Sequence, residues 1–292
     1  MKNIGGQAVI EGVMMKGRKS WTVAVRSPKG EIHVKTEELS ELPKLFRLPI
    51  LRGFLALFYA LFIGIKAIEF SASKAYEEEE GKPLSPASIV LTISMAVLIG
   101  IGLFILLPLY ATKLLGLFFE SVSGSSLVFN LVDGVIRVLI FLVYIISVGM
   151  WKEMRRIFEY HGAEHKVIHA YENGKDLTVN NIKIHSPLHP RCGTSFLLIV
   201  MIISIFVFSF IPQEWQFIYK FLSRLILIPL IAGISYEILK LSAKMEHNLL
   251  MHFLIQPGLL LQRLTTREPD EAQIEVAVRA LREVLITEEA HA

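Results

Sequence analysis

ASIVLTISMAVLIGIGLFILLPLYA, residues 87–111, runs for 25 positions without a charged side chain. A helix of about 20 such residues crosses the roughly 30 Å hydrocarbon core of a bilayer. Three further stretches are mostly apolar over about 18 or more residues: about 127–150, 194–211 and 218–240. Each is expected as a spanning helix. Pro108 and Pro229 would kink two of them, which packed neighbours tolerate. The expected fold class is an all-α polytopic membrane protein with about four transmembrane helices in a lipid bilayer.

Composition agrees with this. Of 292 residues, 53% are hydrophobic and only 20% are charged, against about a quarter charged in an average soluble domain. The net charge of +3 is small. Its basic residues are spread along loops rather than gathered on one patch, which argues against a nucleic-acid partner. Cys192 is the lone cysteine, so no internal disulfide is possible. The first strongly apolar run starts near Leu48, too late for a secretory signal.

Outward from the spans, the chain divides into polar and apolar blocks. Residues 1–47 form a small N-terminal segment. Within it, Trp21–Val25 and Glu31–Lys35 are β-prone and joined by Ser27-Pro28-Lys29-Gly30, a hairpin signal. Residues 5–15 read as a short strand or loop. Residues 48–86 hold an apolar run over 48–70, interrupted by Arg52, Lys66 and Glu69, followed by an acidic linker. The uncharged part is short for a crossing, so a re-entrant or interfacial helix is expected there. Residues 87–150 carry the first two spans, 151–193 a His/Cys-rich loop, and 194–262 the other two spans with a further apolar helix at 246–262. Residues 263–292 form an amphipathic tail with Ile274, Val278, Leu281 and Val284 at helical spacing.

Orientation follows from lysine and arginine. Lys152, Arg155, Arg156, Lys166, Lys175, Lys183 and Arg191 load the 151–193 loop, whereas 112–126 carries Lys113 alone and 212–217 carries neither residue type. The positive-inside rule then places this loop and both termini in the cytoplasm of a multi-pass plasma-membrane protein.

The chemistry concentrates in the same loop. Of nine histidines, five lie between His161 and His189. His161 and His165 are four apart and share a helix face, with Glu164 beside them. This H-x-x-E-H spelling matches an inverted zinc-peptidase motif, in which the glutamate activates water. His189 and Cys192 are three apart in a proline-stiffened segment, and zinc accepts such nitrogen and sulfur donors. The expected metal ligands are His161, His165, His189 and Cys192, with Glu164 as general base and Arg191 as an anion clamp. Four ligands at once would close the shell, so catalysis requires one of them to stand aside. Glu237, within the fourth span, is expected to pair with Lys240 or Lys244, or else to join the metal. Asp133 and Arg137 are expected to pair along the second span. Glu11 reads equally as a turn residue or as a group folded onto the site.

Five motifs also carry a resemblance: Gly5–Met15, His161–Lys166, Ala170–Glu172, His189–Phe196, and Pro257–Pro269 with Gln262 inside it. Together they resemble the bacterial YqhQ-like membrane proteins of unknown function, the DUF1385 family. The resemblance spans nearly the whole chain and implies a metal-dependent membrane enzyme. His161, Glu164, His165, His189, Arg191 and Cys192 fall on its motif positions. The function expected is a zinc-dependent hydrolase at the cytoplasmic membrane surface acting on a lipid-linked or membrane-protein substrate. The alternative is a scaffold or assembly factor pinned by a structural metal.

Overall fold

A computed structural model of the chain describes residues 4–39, 48–76, 86–212, 214–242 and 249–290. The N-terminal segment is richer in β structure than one hairpin. Strands β1 (Gly5–Val9), β2 (Gly12–Lys16), β3 (Ser20–Arg26) and β4 (Ile32–Glu38) form an antiparallel meander in that order. Ala24 faces Val34 in the expected hairpin, and Gly30 takes the positive φ that its turn demands. Glu11 turns β1 into β2 at a φ of 50°. Its carboxylate accepts a two-pronged bond from Arg156 and one from the Tyr160 hydroxyl. Glu11 is therefore a turn residue anchored on the neighbouring helix, away from the His/Cys cluster.

The sheet is buried on both faces, which is why its strands show little polar alternation. Val13, Met15 and Ala24 pack against α6 (Lys152–Glu172) and α11 (Glu271–Ala290). Val9, Met14, Trp21, Val23 and Val25 pack against Ile63 and Ala67 of α1 (Leu51–Ala75). The expected stripe of the C-terminal tail, Ile274, Val278, Leu281 and Val284, is part of the first of these cores.

The apolar helices complete the chain. A helix over 86–118 contains α2 (Pro86–Ile101), a π-helical stretch at Gly102–Leu106, and α3 (Leu107–Phe118). The short α4 (Glu120–Ser123) turns the chain into α5 (Ser126–Gly149). After α6 and the short α7 (Val179–Lys183) come α8 (Gly193–Phe208), α9 (Phe217–Ser242) and α10 (Leu249–Thr265). Among the described residues, four helices are long and apolar enough to cross a membrane: Leu51–Ala75, Ala87–Phe118, Ser126–Gly149 and Phe217–Leu241. The third expected span, 194–211, ends at Phe208 and has 16 helical residues.

From residue 51 onward the 48–70 run lies within a single unbroken helix of 25 residues, Leu51–Ala75. Two of its charged positions, Arg52 and Lys66, have partners. Lys66 reaches Glu37 on β4 at 2.9 Å. Arg52 binds Glu237 of α9 with both prongs of its guanidinium, so Glu237 pairs with Arg52 rather than with Lys240 or a metal centre. Most of the 151–193 stretch is also helix rather than loop, because Lys152–Glu172 holds no proline and repeats apolar residues at helical spacing. The acidic linker at 77–80 lies outside the described residues.

Candidate metal centre

Helix α6 presents two faces. Tyr160, Ala163, Val167 and Ala170 point into the sheet core. His161 and His165 point toward the 184–192 segment that leads into α8. The proline-rich segment and the histidine pair converge. Cys192 is the N-cap of α8, with its Sγ accepting from the Thr194 N–H. His161 Nε2 lies 3.2 Å from that Sγ. One ligand atom from each of His161, His165 and Cys192 lies within 4.8 Å of the others. Zinc bonds of roughly 2.0–2.3 Å would place tetrahedral ligands about 3.3–3.8 Å apart.

The second nitrogen of each paired imidazole is spoken for. His161 Nδ1 donates to the Thr265 carbonyl at 2.8 Å, and His165 Nδ1 donates to the Pro187 carbonyl at 2.6 Å. These carbonyls fix the tautomer with the proton on Nδ1, leaving Nε2 with a lone pair, the arrangement found in metal-ligating histidines. His165 Nε2 is buried and has no hydrogen-bond partner. The donor set and this orphaned nitrogen fit a divalent metal of the zinc type.

Glu164 stands over the same point. Its Oε2 is 3.9 Å from His161 Nε2 and 3.8 Å from His165 Nε2. The backbone N–H of Gly6 donates to its carboxylate, and burial pushes its pKa up to about 8, reinforced by Cys192 and opposed by His161. Gly6 is a requirement of this contact, since a Cβ there would sit 2.7 Å from Glu164 Cγ. Burial also holds His165 well below the usual imidazole range and raises the Cys192 thiol. His165 is thus neutral at pH 7 and available as a ligand.

The other expected site residues are placed nearby but turned elsewhere. His189 Nδ1 accepts the Arg191 N–H at 3.3 Å, and its Nε2 lies 3.3 Å from Glu172. With both nitrogens engaged, His189 does not join the cluster of His161, His165 and Cys192. The Arg191 guanidinium is bound to Glu172 as well. Burial pulls Glu172 upward, but His189 and Arg191 outweigh it and hold the carboxylate below its ordinary range. A row of imidazoles runs away from the centre, with ring centroids 5.7 Å apart for His165 and His189 and 4.5 Å for His189 and His169. His185 stacks on His169 at 6.2 Å. His247 lies outside the described residues, as does the side chain of His252.

Several contributors carried no sequence signal of their own. Gln262, fully buried on α10, exchanges two 2.8 Å bonds with the backbone of His189 and so clamps the proline-rich segment. Thr265 and Pro187 act through carbonyls, which any residue type supplies. Glu172 and Gly6 lie in quoted motifs, but nothing in their spacing reveals their partners. A cavity of about 320 Å³ lies between the sheet and α1, bordered by Gly5, Gly6, Gln7, Met14, Lys16 and Ile63. It adjoins the His161, His165 and Cys192 cluster across Gly6, whose N–H holds Glu164.

The fold and site define a mostly helical protein with candidate membrane-spanning helices, in which α6, packed on a small β-sheet, and the start of α8 bring together a His-His-Cys cluster with a buried glutamate. The chain belongs to the DUF1385 family, described as proteins of unknown function, whose profile matches residues 48–287. It is 34% identical over 296 residues to the uncharacterized protein YqhQ of Bacillus subtilis (strain 168), covering 96% of this chain and 92% of that protein. No solved structure matches it.

Proposed function

We propose that this chain is a metal-dependent hydrolase, zinc being the metal that suits its donors, working at the cytoplasmic face of the bacterial plasma membrane. The observation that carries the reading is the buried, unpartnered Nε2 of His165, aimed at a point shared with His161 Nε2 and Cys192 Sγ. His161, His165 and Cys192 would hold the ion. Three protein ligands leave one tetrahedral position open, the pattern of catalytic rather than structural zinc. Bound there, zinc supplies Lewis acidity and lowers the pKa of water toward about 7. Glu164 takes up the proton from the attacking water and returns it to the leaving group. Its buried setting favours a carboxyl that exchanges a proton near neutral pH. His189, Glu172 and Arg191 position the segment that carries Cys192; Arg191 can grip a substrate anion only by releasing Glu172.

Topology supports the location. The sheet, α6 and α11 share one core, so the chain must return to the same side before α6 and again before α11. Three long apolar helices separate β4 from α6, and only an even number of crossings satisfies the return. Helix α1 lies on the sheet through Ile63 and Ala67, which favours an interfacial course for it, with Leu57, Phe58, Leu61 and Phe62 exposed toward lipid. Crossings then fall to α2–α3, α5, α8 and α9, with both termini cytoplasmic. The cavity under α1 suits a substrate drawn from the membrane.

Burial favours a second reading. Glu164 and His165 are 5% and 1% exposed, which also suits a metal that pins a scaffold. The two separate experimentally. Elemental analysis of the purified full chain is expected to give one metal per chain, lost in His165→Ala and in Cys192→Ser but kept in Glu164→Gln. A chromosomal Glu164→Gln allele should behave as a null for an enzyme and as wild type for a scaffold. Stoichiometric metal surviving both ligand changes would end the assignment of the site.

A further inference from the structure

At the opposite end of the helix bundle, polar side chains of α5, α8 and α9 form a second buried cluster. Asp133, Arg137 and Arg224 are 1%, 6% and 0% exposed. Asp133 accepts from Arg137 and from Arg224, at 2.5 and 2.7 Å. Arg137 also donates to Ser204 Oγ at 2.8 Å, and Arg224 to Asn130 Oδ1 at 3.2 Å. The expected Asp133–Arg137 pair is present, but a second arginine shares its carboxylate. Both guanidiniums lie over the ring of Phe208, with Cζ 4.8 and 5.2 Å from its centroid.

Neither charge nor hydrogen bonding closes. Two cations face Asp133, the one carboxylate among the described residues that binds either of them, which leaves an excess positive charge. Each guanidinium carries five N–H donors, and these four bonds leave most of them unused. Arg137 Nε and Arg224 Nε are both buried without a partner. Inside a bilayer, uncompensated charge and unpaired donors are costly. Further cations extend the cluster toward the bundle end. Lys220, one turn before Arg224, stands 4.4 Å from the Phe129 ring, and Lys113 stands 5.7 Å from Phe217. Glu214 in the preceding turn is the acid that acts on Lys220. Arg224 is seven residues into α9, about 10 Å along the axis from its start, a depth that a headgroup phosphate at the bilayer surface can approach.

We propose that Arg137 and Arg224 form a binding site for an oxyanion of the phosphate class, at the end of the bundle remote from the β-sheet. Guanidinium forks match the oxygens of such an anion, and its charge offsets the excess that Asp133 leaves. The phosphate can belong to a phospholipid headgroup or be free in solution.

The test uses the full chain purified in detergent and exhaustively delipidated. Native mass spectrometry and phosphorus analysis of the wild type are expected to show about one retained phosphate group per chain. The thermal midpoint is then followed against phosphatidylglycerol and, separately, inorganic phosphate, with phosphatidylcholine and chloride as references. A rise of several degrees with phosphatidylglycerol alone identifies a lipid phosphate, and a rise with inorganic phosphate identifies a free one. Arg224→Gln should abolish both retention and the shift. Asp133→Asn, which keeps both forks, should retain phosphate at least as well. Wild-type protein with no retained phosphorus and no shift in either titration overturns the proposal, leaving a purely structural Arg–Asp–Arg cluster.

Discussion

Gly162→Ala tests the proposed metal centre without touching a proposed ligand. Gly162 sits on α6 where the link from α10 to α11 crosses it. A Cβ built there lies 2.0 Å from the Arg267 carbonyl oxygen. Ordinary contact near 3.5 Å requires the link to retreat by about 1–1.5 Å. The link is held by the Arg267 N–H on the Phe158 carbonyl at 2.9 Å, so the retreat is resisted, and overpacking of this kind costs about 1–3 kcal/mol. Two residues upstream is Thr265, whose carbonyl fixes His161 Nδ1 at 2.8 Å. Moved by about 1 Å, that bond passes beyond hydrogen-bonding range. Loss of such a partner typically weakens metal binding 10–100-fold, or about 1.4–2.7 kcal/mol. The assay is competition with a chromogenic chelator on the purified chain, alongside its thermal midpoint. Gly5→Ala is the control, since nothing lies within 4 Å of its added methyl. A folded Gly162→Ala protein with wild-type zinc affinity would refute the claim that the Thr265 carbonyl orders the centre.

Other perturbations probe neighbouring parts of the reasoning. In metal-free protein, burial raises the Glu164 pKa to about 8, so the folded chain keeps a proton that the unfolded chain releases above about 4.5. The thermal midpoint should therefore fall as pH rises from about 5 to 8, and Glu164→Gln, which has no proton to lose, should flatten that slope. In cobalt-substituted protein, Cys192→Ser should remove the thiolate-to-metal charge-transfer absorption; a band that persists would exclude Cys192 as a ligand. Leu281→Ala, at a fully buried position, should destabilise the sheet unit by about 2–5 kcal/mol, read as faster proteolysis of the C-terminal helix; unchanged proteolysis would mean that α11 is held by other contacts.

The sequence made some of this legible and hid the rest for physical reasons. Mostly apolar runs long enough to cross a bilayer announce themselves, so the α2–α3, α5 and α9 helices were expected where they lie. The Trp21–Lys35 hairpin was equally plain, because its turn needs Gly30. Strands β1 and β2 were harder: a sheet covered on both faces loses the alternation that marks a strand, and Glu11 occupies a left-handed position usually given to glycine. At the centre, the i, i+4 spacing put His161 and His165 on one face. The spacing of His189 and Cys192 could not show that His189 turns to Glu172 instead. Nor could it foresee Arg52 reaching Glu237 across 185 residues.

The β-sheet unit draws on three distant parts of the chain: the first strands, α6 in the middle, and the final helix. During synthesis, every candidate membrane-spanning helix is made before α11. His161 receives the Thr265 carbonyl only after α10 has been made, so a chain stalled before that point lacks a group that orders the proposed ligand. Under the proposed function, loading would thereby be confined to chains that have formed this contact, and a bound metal would report that assembly is over.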